Sequence, residues 1–330
     1  MSNASLRAAM VPYSRRVRAY FAPVNREAGM PVVFDPAKHG SFASDIPASP
    51  WLSLGWIENF QRVARMPVEA VRGGARGTTI SQFRGAMDAQ IEFDFREWGK
   101  LQLALACGSE HMNALATVAN ADAQPSGGTA VAAIGLLPGS SSSELVVGAG
   151  SVDFFPEGCM VAVDVDYQQQ TGYVGTGIAA AYIEDAADVQ RDRDYVRRVT
   201  FNVGRVIART ASSLVLAEPL PGGTPGSGAG VQKVIAFVDR EGGSFLQEWS
   251  GLFIAEQDCG GRACFYYPRL SPVQSAVAGV QRETAIPVHE GVHALALHAA
   301  FTALPYVDEN DGQPVLAYRS YFPAPAAAVY

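Results

Sequence analysis

His289-Glu290-Gly291-Val292-His293 is the one stretch of this chain whose residue types and spacing write out a catalytic recipe. On a helix, histidines at i and i+4 share a face and can bind Zn²⁺, and the glutamate between them is then the general base of a metallopeptidase. Three local features oppose that helix. Pro287 would start it two residues before His289 and leave both ligands in its first two turns. Gly291 weakens it by about 1 kcal/mol relative to Ala. Thr284, Ile286, Val288, Val292 and Ala294 also follow a period of two, interrupted by Glu290. On one extended strand His289 and His293 would share a face but lie about 13 Å apart, too far for one ion. Glu309 is a candidate downstream carboxylate, and His298 falls off the i, i+4 face. The expectation is a structural pentad, with no metal and no catalysis, and a zinc peptidase using His289, His293 and Glu290 as the alternative.

The other motifs are weaker. Gly175-Thr176-Gly177-Ile178-Ala179-Ala180 matches a loose G-x-G-x-x-A, but Gln168-Gln169-Gln170-Thr171 stands where the dinucleotide fingerprint needs an apolar strand. A loop is expected there, and no cofactor. No P-loop and no G-x-S-x-G elbow occurs. His39, His111 and His298 are isolated and read as structural. Cys107, Cys159, Cys259 and Cys264 are too few for a disulfide scaffold. The spacing of Cys259 and Cys264 around Gly260-Gly261 allows a bridge across a hairpin; reduced thiols are the expectation.

At 330 residues the chain is long enough for two domains or one with a large insertion. It is 48% hydrophobic and only 17% charged, below the roughly 25% of ordinary globular chains. Small, weakly charged surfaces suit subunit contacts, so an oligomer is expected. The net charge of −7 argues against tight nucleic-acid binding, which needs clustered cations. Lysine occurs only at Lys38, Lys100 and Lys233. The runs Arg15-Arg16-Val17-Arg18 and Arg191–Arg198 do not compensate, and the second is interleaved with Asp192 and Asp194. The N-terminus lacks a signal-peptide layout, and no apolar run approaches the ~20 residues that span a bilayer. Cytoplasmic synthesis without a membrane partner is the expectation.

The elements are mostly strands. Residues 1–50 read as a short helix, a strand at Arg16–Phe21, and a connection that Pro31, Pro36, Pro47 and Pro50 keep irregular. Trp51–Phe60 is aromatic-rich and strand-like, and Gly73-Gly74 and Gly77 punctuate the turn that follows. In Ala86–Phe95, Met87, Ala89, Ile91, Phe93 and Phe95 alternate with Asp88, Gln90, Glu92 and Asp94, the mark of a half-buried antiparallel strand. The period then becomes helical: Trp98, Leu101, Ala104 and Leu105 predict a helix over Glu97–Cys107, stopped by Gly108. Short β runs follow at Met160–Val165, Val196–Val206, Ser213–Ala217, Val231–Val238 and Phe245–Ile254, with Pro219–Gly230 as an exposed loop. Even spacing of that kind suggests a small barrel or sandwich inserted into the chain. Asp239–Gly243 reads as the turn before its last strand.

Trp51–Phe60, the alternating strand, then Glu97–Ala106 and the returning Tyr266-Tyr267-Pro268-Arg269-Leu270 resemble the core of tailed-bacteriophage tail tube proteins. The resemblance covers residues 1–135 and 255–330 and rests on element order. It implies a mainly β fold, a tail-tube-like sandwich or barrel with a flanking helix, divided as 1–139 and 256–330 around an inserted β domain at 140–255. It also implies a virion structural protein rather than an enzyme, made in the host cytoplasm. Its partners would be copies of itself in stacked rings, hexameric by resemblance, and other tail proteins. DNA would only pass through the lumen, which an acidic wall would not retain. A decoration or baseplate protein is a further alternative.

Overall fold

The computed structural model describes residues 16–24, 30–35, 51–74, 77–97, 99–116, 131–165, 173–174, 180–181, 197–198, 201–240, 248–256, 261–273, 283–289 and 292–322. In chain order the first elements are β1 (Arg16–Pro23), β2 (Leu52–Arg65), β3 (Val68–Gly73), β4 (Thr78–Arg84), β5 (Asp88–Phe95) and helix α1 (Lys100–Cys107). A run of short strands follows: β6 (Glu110–Leu115), β7 (Ile134–Gly135), β8 (Glu144–Val146), β9 (Met160–Val165), β10 (Tyr173–Val174), β11 (Ala180–Ala181), β12 (Arg197–Arg198), β13 (Val203–Arg209) and β14 (Ser213–Leu216). The longer β15 (Ala229–Arg240), β16 (Trp249–Glu256), β17 (Arg262–Pro272), β18 (Glu283–His289) and β19 (Val292–Ala303) come next. The chain closes with β20 (Tyr306–Val307), β21 (Pro314–Val315) and β22 (Tyr318–Phe322). The helix expected near the N-terminus lies outside the described residues.

Six strands form a ring in the order β19-β5-β2-β1-β16-β17, closed where Leu270, Ser271 and Pro272 of β17 pair with Ala303, Thr302 and Phe301 of β19. All pairings in the ring are antiparallel. The interior is aromatic and solid. Phe21, Phe93, Phe253 and Phe301 are all fully buried. The Phe21 ring lies 6.1, 5.6 and 5.2 Å from the other three, and Phe93 stacks on Phe301 at 5.8 Å. Alternation explains which residues reach this core: Ala89, Ile91, Phe93 and Phe95 point inward from β5, as their period of two predicts. Met87 does not follow them and is exposed, because β5 leaves the barrel at Asp88.

Strands β1, β16 and β17 are buried on both faces. Their outward residues Tyr20, Ala22, Leu252, Ile254, Cys264 and Tyr266 form a second apolar layer with Phe34 and Trp51. The proline-bearing connection is irregular, as expected, yet residues 30–35 are fastened down. The backbone N–H of Val32 donates to the Ser250 hydroxyl at 2.9 Å, and the Tyr266 hydroxyl donates to the Val32 carbonyl at 2.9 Å. These two bonds satisfy backbone groups that irregular, partly buried chain would otherwise leave unpaired. Helix α1 is a turn shorter at its start than its pattern suggested. It ends at Gly108, whose φ of 59° is the left-handed cap that Gly adopts without a Cβ penalty. Its Ala104, Leu105 and Ala106 are buried in the same cluster as the barrel interior, so the helix flanks the barrel and seals apolar surface.

The second sheet has the order β12-β6-β15-β9-β13-β14-β8, with β7 also on β15. It curls on itself: Leu136 donates to the Ala229 carbonyl and Leu137 to the Val146 carbonyl, both at 2.8 Å, joining the β7 segment to both β15 and β8. Its core is aliphatic, with Leu145, Val161, Val163, Val206, Leu214 and Val231. Its bounds differ from those expected. Strand β6, directly after the helix, pairs with β15 out to Glu110 opposite Arg240. Incoming and outgoing strands thus lie side by side, and the inserted sheet spans 110–240 rather than 140–255. The run Phe245–Ile254, read as the last strand of the insertion, is represented among the described residues by β16 (Trp249–Glu256), which instead pairs with β1 and β17 in the barrel. The two units touch through Phe201, whose ring lies 5.5 Å from Trp249 and under the Lys100 ammonium at 4.8 Å. Cys107, Cys159 and Cys264 are in no disulfide; Cys259 lies outside the described residues.

Candidate assembly surface

The helix that the catalytic reading needs is not formed. Strand β18 ends at His289 and β19 begins at Val292, with His289 paired to Val292 and Pro287 to His293. The chain reverses inside the pentad, so its histidines belong to two strands and never share a helix face. The ~13 Å separation on a single strand is equally inapplicable. Glu290 and Gly291 lie outside the described residues. Pro287, which argued against a helix, lies near the end of β18. Glu309 is exposed near β20, and among the described residues no group of three or more His, Cys, Asp and Glu is placed to hold a metal. Of the G-x-G-x-x-A match, residues 175–179 lie outside the described residues; the flanking β10 and β11 pair antiparallel, unlike the strand-to-helix turn that a dinucleotide site requires.

His298 is brought into a cluster that the sequence did not suggest. Its Nδ1 lies 2.7 Å from Oδ1 of Asp94, and Asn59 Nδ2 donates to the other carboxylate oxygen at 2.6 Å. Asn59 sits at a bulge between β2 and β5, with φ of 52°. Asparagine tolerates that left-handed conformation better than most residues. Bulges bend a strand, and this one lies on β2 shortly before it leaves the barrel. The cluster therefore reads as an anchor for the bend, on the outer face of the barrel.

What leaves the barrel is an arm. After Arg65 pairs with Asp88, the chain passes Met66-Pro67, runs out along β3, turns and comes back along β4. The Gly85 N–H donates to the Pro67 carbonyl at 2.8 Å across the neck. Eight residues at about 3.3 Å each carry the tip on the order of 25 Å from the neck. Every residue of β4 is exposed, as is all of β3 except Gly73. The exposed side chains include Met66, Val68, Val71 and Met87, with Ile80 at 71% and Phe83 at 62%. Ile80 is the extra residue of a β3–β4 register shift, and its side chain covers Gly73 so closely that a Cβ there would collide with it.

Among the described residues neither strand of the arm has a third strand beside it; two strands alone are marginal at best, and an edge without a partner presents a row of N–H and C=O groups. Scattered apolar residues on a surface need no explanation; here Val68, Val71, Ile80 and Phe83 are all exposed on one projecting element. Strands β18 and β22 add two more edges, since each pairs on one side only among the described residues. Sequence reasoning placed a turn at Gly73-Gly74 and Gly77 and stopped there; the β-branched and aromatic residues on either side of it, Val68, Val71, Thr78, Thr79, Ile80 and Phe83, were the available signal for a hairpin.

Elsewhere the polar chemistry is structural. Arg269 makes a bidentate pair with Glu248, at 2.7 and 3.0 Å, which pushes the guanidinium pKa up. Burial raises the Cys264 thiol to about 12, against a smaller opposing effect of Arg262. The Tyr318 hydroxyl donates to Asp308 at 2.6 Å and, with the Asn310 amides, holds that carboxyl below its usual value. Among the described residues no helix is long and apolar enough to cross a membrane. No family model and no curated protein matches the chain.

Proposed function

We propose that this chain is a virion structural protein, the tail tube subunit of a tailed bacteriophage. In this reading it works by self-assembly into stacked rings, hexameric by resemblance, around a channel that delivers DNA. The observation that carries the reading is the projecting arm. It is a two-stranded hairpin that exposes Val68, Val71, Ile80 and Phe83, an element that an assembly partner would complete. The filled barrel supports it in a second way: with Phe21, Phe93, Phe253 and Phe301 packed inside, a channel for DNA has to lie between subunits. The net charge of −7 suits a wall that DNA passes without binding. The inserted sheet would decorate the ring.

Negative-stain microscopy of the purified chain tests the proposal. Rings or tubes are expected. A monomer at every concentration, carrying stoichiometric zinc and cleaving peptides, would instead favour the peptidase reading. Alanine at His289 and His293 should leave the zinc content of the preparation unchanged.

A further inference from the structure

The arm differs from the rest of the chain in charge as well as exposure. Residues 65–87 hold Arg65, Arg72, Arg76 and Arg84 against Glu69 alone, a net +3. The chain totals 25 Lys and Arg and 32 Asp and Glu, so the remainder carries −10. Arg65, Arg72 and Arg84 are exposed and alternate with the exposed Met66, Val68, Val71, Ile80 and Phe83. All four arm cations are arginine. The planar guanidinium pairs with carboxylates bidentately and is more weakly hydrated than an ammonium, so it tolerates a contact that also buries apolar surface.

We infer that the arm is a cationic hook whose occupant is the acidic body of a second copy of this chain. The inference rests on the self-assembly reading above and names the contact that drives it. Charge selects among the possible contacts. Arm against arm brings two surfaces of +3 together, which repel. Arm against body pairs +3 with −10, steering encounter and register as complementary potentials do. A contact between two different surfaces is heterologous, so it propagates into rings or stacks instead of ending at a dimer. Its strength then depends on salt, because the Debye length falls from about 10 Å at 0.1 M to about 3 Å at 1 M.

The test uses the full chain, followed by sedimentation velocity and negative-stain microscopy at about 50 mM and about 500 mM salt. The double variant Arg72→Glu/Arg84→Glu reverses the arm's charge, and Arg72→Lys/Arg84→Lys keeps it. Both positions are exposed, so the urea transition of the barrel should be unchanged in each. The hook predicts that wild-type assembly weakens with salt. It also predicts that the glutamate variant raises the assembly threshold at low salt by about tenfold or more, and that the lysine variant stays within about threefold. Wild-type assembly that ignores salt, with the glutamate variant assembling equally well, overturns the hook and leaves the tube reading standing. Zero-length carboxyl–amine cross-links are a second readout in the lysine variant: they should join arm to body, and cross-links that leave the arm unlinked in assembled material overturn the proposal. A wild-type chain that assembles at neither salt overturns both.

Discussion

Phe21 and Phe83 are the same residue type in opposite circumstances, and truncating each to alanine separates the role of the barrel from that of the arm. Phe21 is fully buried, with ring neighbours Phe93, Phe253, Phe301 and Trp249 at 5.2 to 6.5 Å. Phe21→Ala leaves a cavity among rings held by three other strands, which cannot collapse far, so the cost belongs near 4 kcal/mol of the ~3–5 typical of Phe→Ala in cores. Phe83 is 62% exposed. Full burial of a phenylalanine contributes at most about 3 kcal/mol, so Phe83→Ala loses at most about 1 kcal/mol within the arm. The exposed remainder would become available in an assembly. Burying it would contribute about 2 kcal/mol per contact, roughly a 30-fold change in association. Urea unfolding followed by tryptophan fluorescence, beside sedimentation velocity, reads both. Phe21→Ala should shift the barrel transition strongly, and Phe83→Ala should leave it in place while weakening assembly. Equal shifts of the two transitions, or a Phe83→Ala chain that assembles like wild type, would refute the division between core and arm.

Gly108→Ala should destabilise the barrel–helix unit by about 1–2 kcal/mol in thermal or urea unfolding. Its φ is 59°, and a Cβ there would press on Pro272 at 3.1 Å. Asp308 contributes stability that is present above its unfolded pKa and is lost as pH falls through its lower folded value. Tyr318→Phe removes the largest cause, so a carboxyl NMR titration should show the Asp308 midpoint move up toward the ordinary range; an unmoved midpoint would sink the assignment. Cys264, buried and with its thiol pushed up to about 12, should resist thiol reagents at pH 8 until urea unfolds the barrel. Labelling of Cys264 in the folded chain at the rate of a free thiol would contradict its burial.

The sequence by itself determined the local chemistry. The alternation of Ala89, Ile91, Phe93 and Phe95 fixed a strand and its inward face, because side chains alternate across a pleated strand whatever it pairs with. Gly108 fixed where α1 stops, since the left-handed cap disfavours any Cβ. Met160–Val165 was equally legible, whereas Pro219–Gly230, expected as an exposed loop, buries Leu220 and Ala229 in the aliphatic core and ends inside β15. What the tertiary structure decided was partnership. Trp249–Glu256 is apolar on both faces and fits either sheet by pattern; only its backbone pairing with β1 and β17 assigns it to the barrel. The pentad was ambiguous for the same reason. Whether its histidines lie on a helix, along one strand or across a hairpin depends on what flanks them, and pairing with β19 settled it. The arm was hidden most completely. Val68-Glu69-Ala70-Val71-Arg72 mixes apolar and polar residues without a strict period, and its exposure depends on which of the described elements pack against it, which no local pattern of Val68, Ile80 or Phe83 can encode.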